Sequence, residues 1–186
     1  MRYFSIDPAT KSIAIIAIDY NNSKISPDDY KTFNNIKVVM TDTTDLAPGI
    51  ANDKIIESER ISLTINHLDK IVKPYLTEDT VVLIEKQISG TQTYINFVTI
   101  CTYFTINKVS ISIIAPTFKN TLSIGGEKLN YRKYPNSYTA NKEHSRAMFL
   151  HLKPHFGDYK KIIYNKKYEK DLSDCFMQLI YLLIHQ

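Results

Sequence analysis

The spacing of apolar residues predicts strands in four parts of the chain. Branched residues at 3–6 and 12–20, separated by the turn-forming DPATK, predict a β-hairpin, and KVVMT predicts a third strand. The uninterrupted apolar run in TVVLIEKQ predicts a central strand that is buried on both faces, and VSISIIAP predicts another strand. We therefore expect three adjacent antiparallel strands at the start of the chain and further strands later.

Helical spacing of apolar residues is found in four other segments. These are 58–75, which ends near Pro74, 93–107, 137–152 and 170–185. The second is apolar nearly all round, so two of its faces should be covered, by the core or by a second copy of the chain. The third has Thr139 or Asn141 as a possible cap. The polar stretch 117–137 predicts a loop, which gives the order βββ-α-β-α-β-loop-α-α.

Length and composition narrow the kind of protein. With 186 residues and 44% hydrophobic content, the chain can form one well-packed domain, so we expect a single domain over 1–186. A net charge of +4 favours nucleic acid as a partner without deciding it. Cys101 and Cys175 lie in apolar runs, and no segment has the pattern of a signal peptide or a membrane span. These features predict a soluble intracellular protein that does not bind a membrane.

Four acidic residues stand at the ends of predicted elements. Asp7 follows the first strand, and Glu85 ends the predicted central strand. Asp171 and Asp174 are three apart near the start of the last helix, so their side chains project toward one face. If these elements meet at one edge of the sheet, the four carboxylates would provide hard oxygen ligands for Mg²⁺ or Mn²⁺. Such a site is suited to in-line hydrolysis of a phosphodiester.

Each of these acids also has a purely structural explanation. Asp7 could be only a turn former before Pro8, and Glu85 could be a surface residue where the strand leaves the sheet. Asp171 and Asp174 could simply favour the helix N-terminus through its dipole. The co-occurrence of four acids, each at the end of an element expected at the same sheet edge, favours metal binding over these explanations.

Three segments resemble motifs of a known family. SIDPATKSIAIIAID resembles the first hairpin of the RuvC-type Holliday junction resolvases, LIEKQ resembles their second motif, and KDLSDCFMQLIYLL resembles their closing helix. The order and spacing of the motifs agree, and APTFKNTLSIGG with NKEHS is similar to the poxvirus branch. Bacterial relatives often have Pro-Gly after the first aspartate, whereas this chain has Ala9 after Pro8, so the hairpin turn should be wider here.

The resemblance implies a fold, an activity and a set of site residues. The implied fold is α/β and RNase H-like, with a five-stranded mixed sheet of three antiparallel and then parallel strands, flanked by helices. The implied activity is Mg²⁺-dependent nicking of four-way DNA junctions by a homodimer, with Mn²⁺ as a substitute, in viral recombination and concatemer resolution in the host cytoplasm. The family's catalytic acids fall on Asp7, Glu85, Asp171 and Asp174, and a basic position of its helix falls on Lys142.

Basic residues are concentrated in the C-terminal half and could contact DNA. Lys142 could stabilise the negative charge that develops on a scissile phosphate. Lys86 would point away from Glu85 if the strand continued, and a solvated lysine explains it as well as a DNA contact does. The other candidate DNA contacts are Lys119, Arg132, Lys133 and Arg146, each of which could equally be a surface charge.

Three other functions are compatible with parts of the sequence. An RNase H-like nuclease could act on another branched substrate or on an RNA–DNA hybrid. A non-catalytic module could bind branched DNA through the basic half of the chain, with the acids only stabilising the fold. An actin-like ATPase would need two such domains, and Gly125-Gly126 lacks the Lys-Ser/Thr pair of a phosphate-binding loop, so we expect no nucleotide cofactor.

Overall fold

Five strands and four α-helices are formed within the part of the chain that the structure describes. The computed structural model describes residues 1–21, 25, 30–87, 91–117 and 137–185. The strands are β1 (Arg2–Pro8), β2 (Ser12–Asp19), β3 (Lys37–Asp45), β4 (Thr80–Glu85) and β5 (Ser110–Ile114). The helices are α1 (Glu57–Ile71), α2 (Gln92–Ile106), α3 (Ser137–Leu152) and α4 (Glu169–His185).

The strands form one mixed sheet in the order β3-β2-β1-β4-β5. β2 is antiparallel to both β1 and β3, whereas β4 runs parallel to β1 and β5 runs parallel to β4. Parallel neighbours need long crossover connections, and α1 and α2 lie in the segments that lead into β4 and β5. The predicted fold class, a five-stranded mixed sheet flanked by helices, is confirmed.

Alternation along β1 divides the core between the two faces of the sheet. Phe4 and Ile6 point to one face, where they share a buried cluster with residues of α1 and α2. Tyr3 points to the other face, into a cluster with residues of α3 and α4. Burial of each large apolar side chain contributes about 1.5–3 kcal/mol, which is why helices cover both faces. Asp7 has the same parity as Tyr3 and therefore points toward α3 and α4.

Helix α2 directs its aromatic residues into the core. Phe97, Ile100 and Phe104 are buried in the cluster shared with α1 and the sheet. The prediction that this apolar surface packs into the core is therefore confirmed for these residues. Helix α2 packs against both α1 and the sheet, which agrees with the prediction of two covered faces, whereas Val98 and Ile106 are exposed on its remaining side.

Two boundaries differ from the sequence predictions. β3 continues through the polar segment TDTTD to Asp45, because it is the edge strand of the sheet and its side chains are only half-buried. Helix α1 ends at Ile71, and Pro74 lies in a short 3-10 turn that follows. Proline lacks the N–H that a continuing helix would need, so the change of structure near it is expected.

The predicted loop and cap before α3 have different outcomes. Most of the loop predicted over 117–137 lies outside the described residues, because residues 118–136 are not among them. Helix α3 begins at Ser137, so Thr139 and Asn141 already lie in its first turns. The prediction that one of these two residues caps the helix is therefore wrong.

Cys101 and Cys175 are both free thiols. Cys175 is buried on α4, and its Sγ donates to the Ala14 carbonyl of β2 at 3.1 Å, which attaches the helix to the sheet. None of the helices in the described ranges combines the length and the apolar character needed to cross a membrane.

Candidate active site

Two carboxylates lie side by side on the central strands. Asp7 is only 9% exposed and lies within β1, opposite Ala14 of β2, so the prediction that it follows the first strand is wrong. Glu85 is the last residue of β4, which pairs with β1 so that Ile84 lies beside Ile6. Asp7 and Glu85 are each one residue beyond that pair, so they are neighbours that point to the same face.

The other two carboxylates come from the first two turns of α4. Asp171 and Asp174 are three residues apart, which places both on the side of the helix that faces α3. The side chain of Asp171 is 27% exposed and that of Asp174 only 2%. A buried carboxylate is costly unless a cation or hydrogen bonds compensate it. The apolar stripe further along α4 holds the helix on the sheet and so keeps Asp174 in this position.

Lys142 of α3 contacts three of the four acids. Its Nζ lies 2.5 Å from Asp174 Oδ2, 3.0 Å from Asp171 Oδ1 and 3.5 Å from Asp7 Oδ2. Burial of the ammonium lowers the pKa of Lys142, but the negative charges of Asp7, Asp174 and Asp171 outweigh burial and raise this pKa above its ordinary value. Lys142 is therefore charged throughout the physiological pH range.

All four acids and Lys142 line one cavity of about 430 Å³. A cavity of this size is typical of ligand-binding sites. The other lining residues are Pro8, Ala9, Thr10, Gln87, Thr93, Pro116, Tyr138 and Asn141. The structure thus brings together the five residues that the sequence singled out, and their roles in catalysis stay predictions.

The charges around this cavity fit a divalent cation. In the described part of the chain, the lining contains four carboxylates and one cationic side chain, Lys142. No three acidic, histidine or cysteine side chains in the described ranges surround a point as metal ligands do, and Lys142 Nζ occupies the place where Asp7, Asp171 and Asp174 meet. A set of carboxylate oxygens without thiolate or imidazole is the kind that Mg²⁺ and Mn²⁺ prefer. The residue types therefore fit a hard divalent cation, and the ammonium of Lys142 lies among the carboxylates of Asp7, Asp171 and Asp174.

Solved structures with the same architecture include viral and bacterial proteins. One is Fowlpox virus resolvase in a complex with its substrate Holliday junction DNA. The superposition covers 98% of this chain and 97% of that chain, with 20% sequence identity and a TM-score of 0.61. Another is Thermus thermophilus RuvC, where the superposition covers 99% of this chain and 96% of that chain, with 10% sequence identity and a TM-score of 0.56. This chain has the fold of these two proteins, called the RuvC-type fold below. The RNase H-like architecture expected from the resemblance is thereby confirmed, whereas no protein-family model and no curated protein matches the sequence.

In this RuvC-type fold, a second charged region lies next to the cavity, where α3 and α4 meet. Arg146 Nε donates to Glu169 Oε1 at 2.5 Å, and Tyr164 Oη donates to Glu169 Oε2 at 2.9 Å. Glu169 is only 7% exposed, and burial raises its pKa, but the hydrogen bonds from Arg146 and Tyr164 outweigh burial, so the pKa of Glu169 is lowered. This carboxylate is therefore ionised and held between two donors.

The structure describes some of the predicted DNA contacts of the RuvC-type fold. Lys86 follows the end of β4 and is exposed, so strand alternation does not fix its direction. Arg146 lies against Glu169 at the α3–α4 contact. Lys119, Arg132 and Lys133 fall within 118–136, outside the described residues.

Sequence reasoning missed several polar residues that support the site. Ser5 Oγ donates to Gln178 Oε1 at 2.8 Å, and this fully buried pair joins β1 to α4 two residues before Asp7. Asn96 Nδ2 of α2 donates to the Ala9 carbonyl at 2.5 Å, which holds the hairpin turn beside the cavity. The signal available in the sequence was a single polar residue inside an apolar run, as in YFSI and YINF. Buried polar groups need partners, so such residues point to a buried hydrogen bond.

Proposed function

We propose that this chain is a metal-dependent endonuclease that cuts four-way DNA junctions by paired symmetric nicks. The observation that carries the proposal is the convergence of Asp7, Glu85, Asp171, Asp174 and Lys142 on one cavity of a RuvC-type fold. The Fowlpox virus resolvase of the same fold was crystallised with Holliday junction DNA. That structure supports a DNA junction as the substrate.

The four carboxylates and the lysine have different proposed roles. Asp7, Glu85, Asp171 and Asp174 would hold Mg²⁺, for which Mn²⁺ can substitute, and the bound ion would supply Lewis acidity toward a phosphodiester. The ammonium of Lys142 would stabilise negative charge on the scissile phosphate. The proposed further DNA contacts are Lys86, Lys119, Arg132 and Lys133, whereas Arg146, the fifth candidate from the sequence, lies against Glu169.

The proposed reaction also requires a second copy of the chain. One cavity holds one set of acids, and two symmetric nicks in opposite strands need two such sites related by a two-fold axis. We therefore propose a homodimer. We further propose a role in viral DNA recombination and concatemer resolution in the host cytoplasm, which the resemblance of the sequence motifs to the poxvirus branch implies.

A cleavage assay on a panel of substrates tests this proposal. The panel contains a four-way junction, a flap, an RNA–DNA hybrid and a linear duplex of the same sequence. With Mg²⁺ we expect symmetric nicked duplexes from the junction, slower cleavage of the other substrates, and no cleavage in the presence of a chelator. Faster cleavage of the hybrid or the flap would indicate that the fold serves another substrate.

A matched pair of variants at the two ends of β4 tests the site. Glu85→Gln removes a carboxylate from the cavity, whereas Glu78→Gln removes an exposed carboxylate near the other end of the same strand. We expect Glu85→Gln to bind junctions without cutting them and Glu78→Gln to behave as the wild type. Junctions that are bound by the wild type but stay intact even in Mn²⁺ would support a non-catalytic binding module.

A further inference from the structure

Arg146 lies one helical turn beyond Lys142 on α3, so both side chains point from the same side of that helix toward α4. Lys142 contacts the acids of the cavity, while Arg146 Nε contacts Glu169 Oε1. Glu169 is the first residue of α4, two residues before Asp171. The two basic residues of α3 therefore contact consecutive parts of the start of α4.

Glu169 is held from several directions. Its side chain accepts hydrogen bonds from Arg146 and, at 2.9 Å, from Tyr164 Oη. Lys153 Nζ donates to Tyr164 Oη at 3.1 Å, so the contact continues back to the end of α3. Ser173 Oγ donates to the Glu169 carbonyl at 2.6 Å, within the first turns of α4. These bonds fix both the side chain and the backbone at the start of the helix that carries Asp171.

A buried ion pair is weak evidence for stability, because apolar residues of similar volume would often stabilise a fold as well. Such a pair does specify geometry, since only one register of two helices brings the charges into contact. Here the register of α3 against α4 also decides whether Lys142 Nζ reaches Asp171 and Asp174.

We infer that Arg146 and Glu169 are positioning residues, which set the register of α3 against α4 so that Lys142 meets the acids of the cavity. This inference rests on the proposed nuclease function and assigns to Arg146 a role other than contact with a DNA phosphate. Arg146 acts through Lys142 and Asp171 and touches neither the metal nor the reacting phosphate.

The same two helices provide a matched control. Lys170 Nζ of α4 lies 2.5 Å from Glu143 Oε1 of α3, but the Lys170 side chain is 50% exposed. Glu143 Oε2 also lies 3.8 Å from Arg146 Nη1, and Lys170→Met leaves that contact in place. An exposed pair of this kind contributes little, because water screens it and ordering the side chains has an entropy cost. Lys170→Met should therefore leave the register unchanged.

The test compares Arg146→Met, Glu169→Gln, the double variant, Arg146→Lys and Lys170→Met at a temperature at which all are folded by circular dichroism. We expect both single variants to lower the single-turnover rate on junctions at least tenfold, and the double variant to be no slower than the singles, because the two residues act as a unit. Arg146→Lys should regain part of the rate, and Lys170→Met should stay within about twofold of the wild type.

Junction affinity separates positioning from a direct DNA contact. A positioning residue leaves the Kd and its dependence on salt unchanged in Arg146→Met. Loss of a phosphate contact would weaken binding and reduce the slope of log K against log salt by about 0.9. Weaker binding by Arg146→Met together with a wild-type cleavage rate at saturating protein would overturn the inference. An unchanged cleavage rate in both single variants would also overturn it.

A readout without cleavage keeps this inference distinct from the proposed function. In the metal-free protein, the buried ammonium of Lys142 should give a slowly exchanging ¹⁵N-lysine signal in NMR, because it is hydrogen-bonded to carboxylates. Arg146→Met should shift or broaden this signal, and Lys170→Met should not. If the wild type cuts no junction but the Arg146 variant shifts the signal, the nuclease proposal fails and the register role stands. An unchanged signal overturns the register role.

Discussion

Two neighbouring regions of the α3–α4 contact contain the same kinds of side chain in different proportions. Around Arg146, two bases meet two acids: Arg146 contacts both Glu169 and Glu143, and Lys170 contacts Glu143. Around Lys142, a single ammonium meets the carboxylates of Asp7, Asp171 and Asp174, and Glu85 lines the same cavity. Counted over the described residues alone, the first region is balanced in charge, whereas the second has an excess of negative charge.

This difference separates a structural contact from a binding site. A balanced region is satisfied by its own side chains and gains nothing from an added ion. In the unbalanced region, several carboxylates lie close together around one ammonium, so an added cation would reduce their mutual repulsion. Functional sites often contain such repulsive arrangements, which lower the stability of the fold. The excess of negative charge around Lys142 is therefore the feature that most strongly supports a metal site.

The largest expected effect comes from removing one charge from the unbalanced region. Asp7→Asn should lower the single-turnover rate on four-way junctions by at least about 10²-fold, because one proposed metal ligand is lost. The melting temperature of the metal-free protein should not fall, because Lys142 keeps Asp171 and Asp174 as partners and one repulsive charge is gone. Cleavage gels and calorimetry measure the two quantities.

Asp158→Asn is the control for this variant, since Asp158 pairs with the exposed Lys161 three residues later. It should leave both the rate and the melting temperature unchanged. A variant at Asp7 that cuts normally but melts several degrees lower would mean that the carboxylate serves only the fold.

The next effect is on stability and is expected when the cation of the unbalanced region is removed. Lys142→Met should reduce the free energy of unfolding of the metal-free protein by about 3 kcal/mol, because buried carboxylates lose their partner. Mn²⁺ should restore much of this loss, since it replaces the missing charge. Urea unfolding with and without Mn²⁺ measures both effects. The matched Lys170→Met should lower the free energy of unfolding by less than about 1 kcal/mol. Equal losses in the two variants would contradict the proposed difference between the two regions.

The smallest effect concerns pH dependence in the balanced region. The pKa of Glu169 is lowered in the folded protein, so its contribution to stability is present above about pH 4.5, the ordinary glutamate value, and is lost as the pH falls through the lower value. The difference in free energy of unfolding between the wild type and Glu169→Gln should therefore be largest at neutral pH and disappear in acid. Urea unfolding at several pH values tests this, with the exposed Glu59→Gln as a control. A difference that does not change with pH would contradict the expectation.

The elements that carry the site could be predicted because their patterns are local. The apolar run before Glu85 indicates a central strand, and β4 ends at that residue. The apolar stripe after Asp171 and Asp174 indicates a helix packed on the sheet, and α4 carries both acids in its first turns. Because β4 ends and α4 begins at the same cavity, the convergence of their acids could also be expected from the sequence.

Contacts between distant segments could not be predicted in this way. Arg146 and Glu169 are 23 residues apart, and nothing in either local pattern indicates that they meet. β3 extends to Asp45 because the register of β2 continues, although its own sequence there is polar. Asn96 Nδ2 donates to backbone carbonyls of the hairpin turn, which no side-chain pattern reveals. These features depend on the assembled sheet and on the packing of helices against it.

The most direct test of the central claim is a Mn²⁺ titration followed by electron paramagnetic resonance, which counts free Mn²⁺ as protein is added. The unbalanced region around Lys142 should bind Mn²⁺ in the wild type, and Asp174→Asn should weaken that binding at least tenfold, while Glu78→Gln should not change it. If the wild type binds no Mn²⁺, or if Asp174→Asn binds as tightly as the wild type, the four acids do not form a metal site.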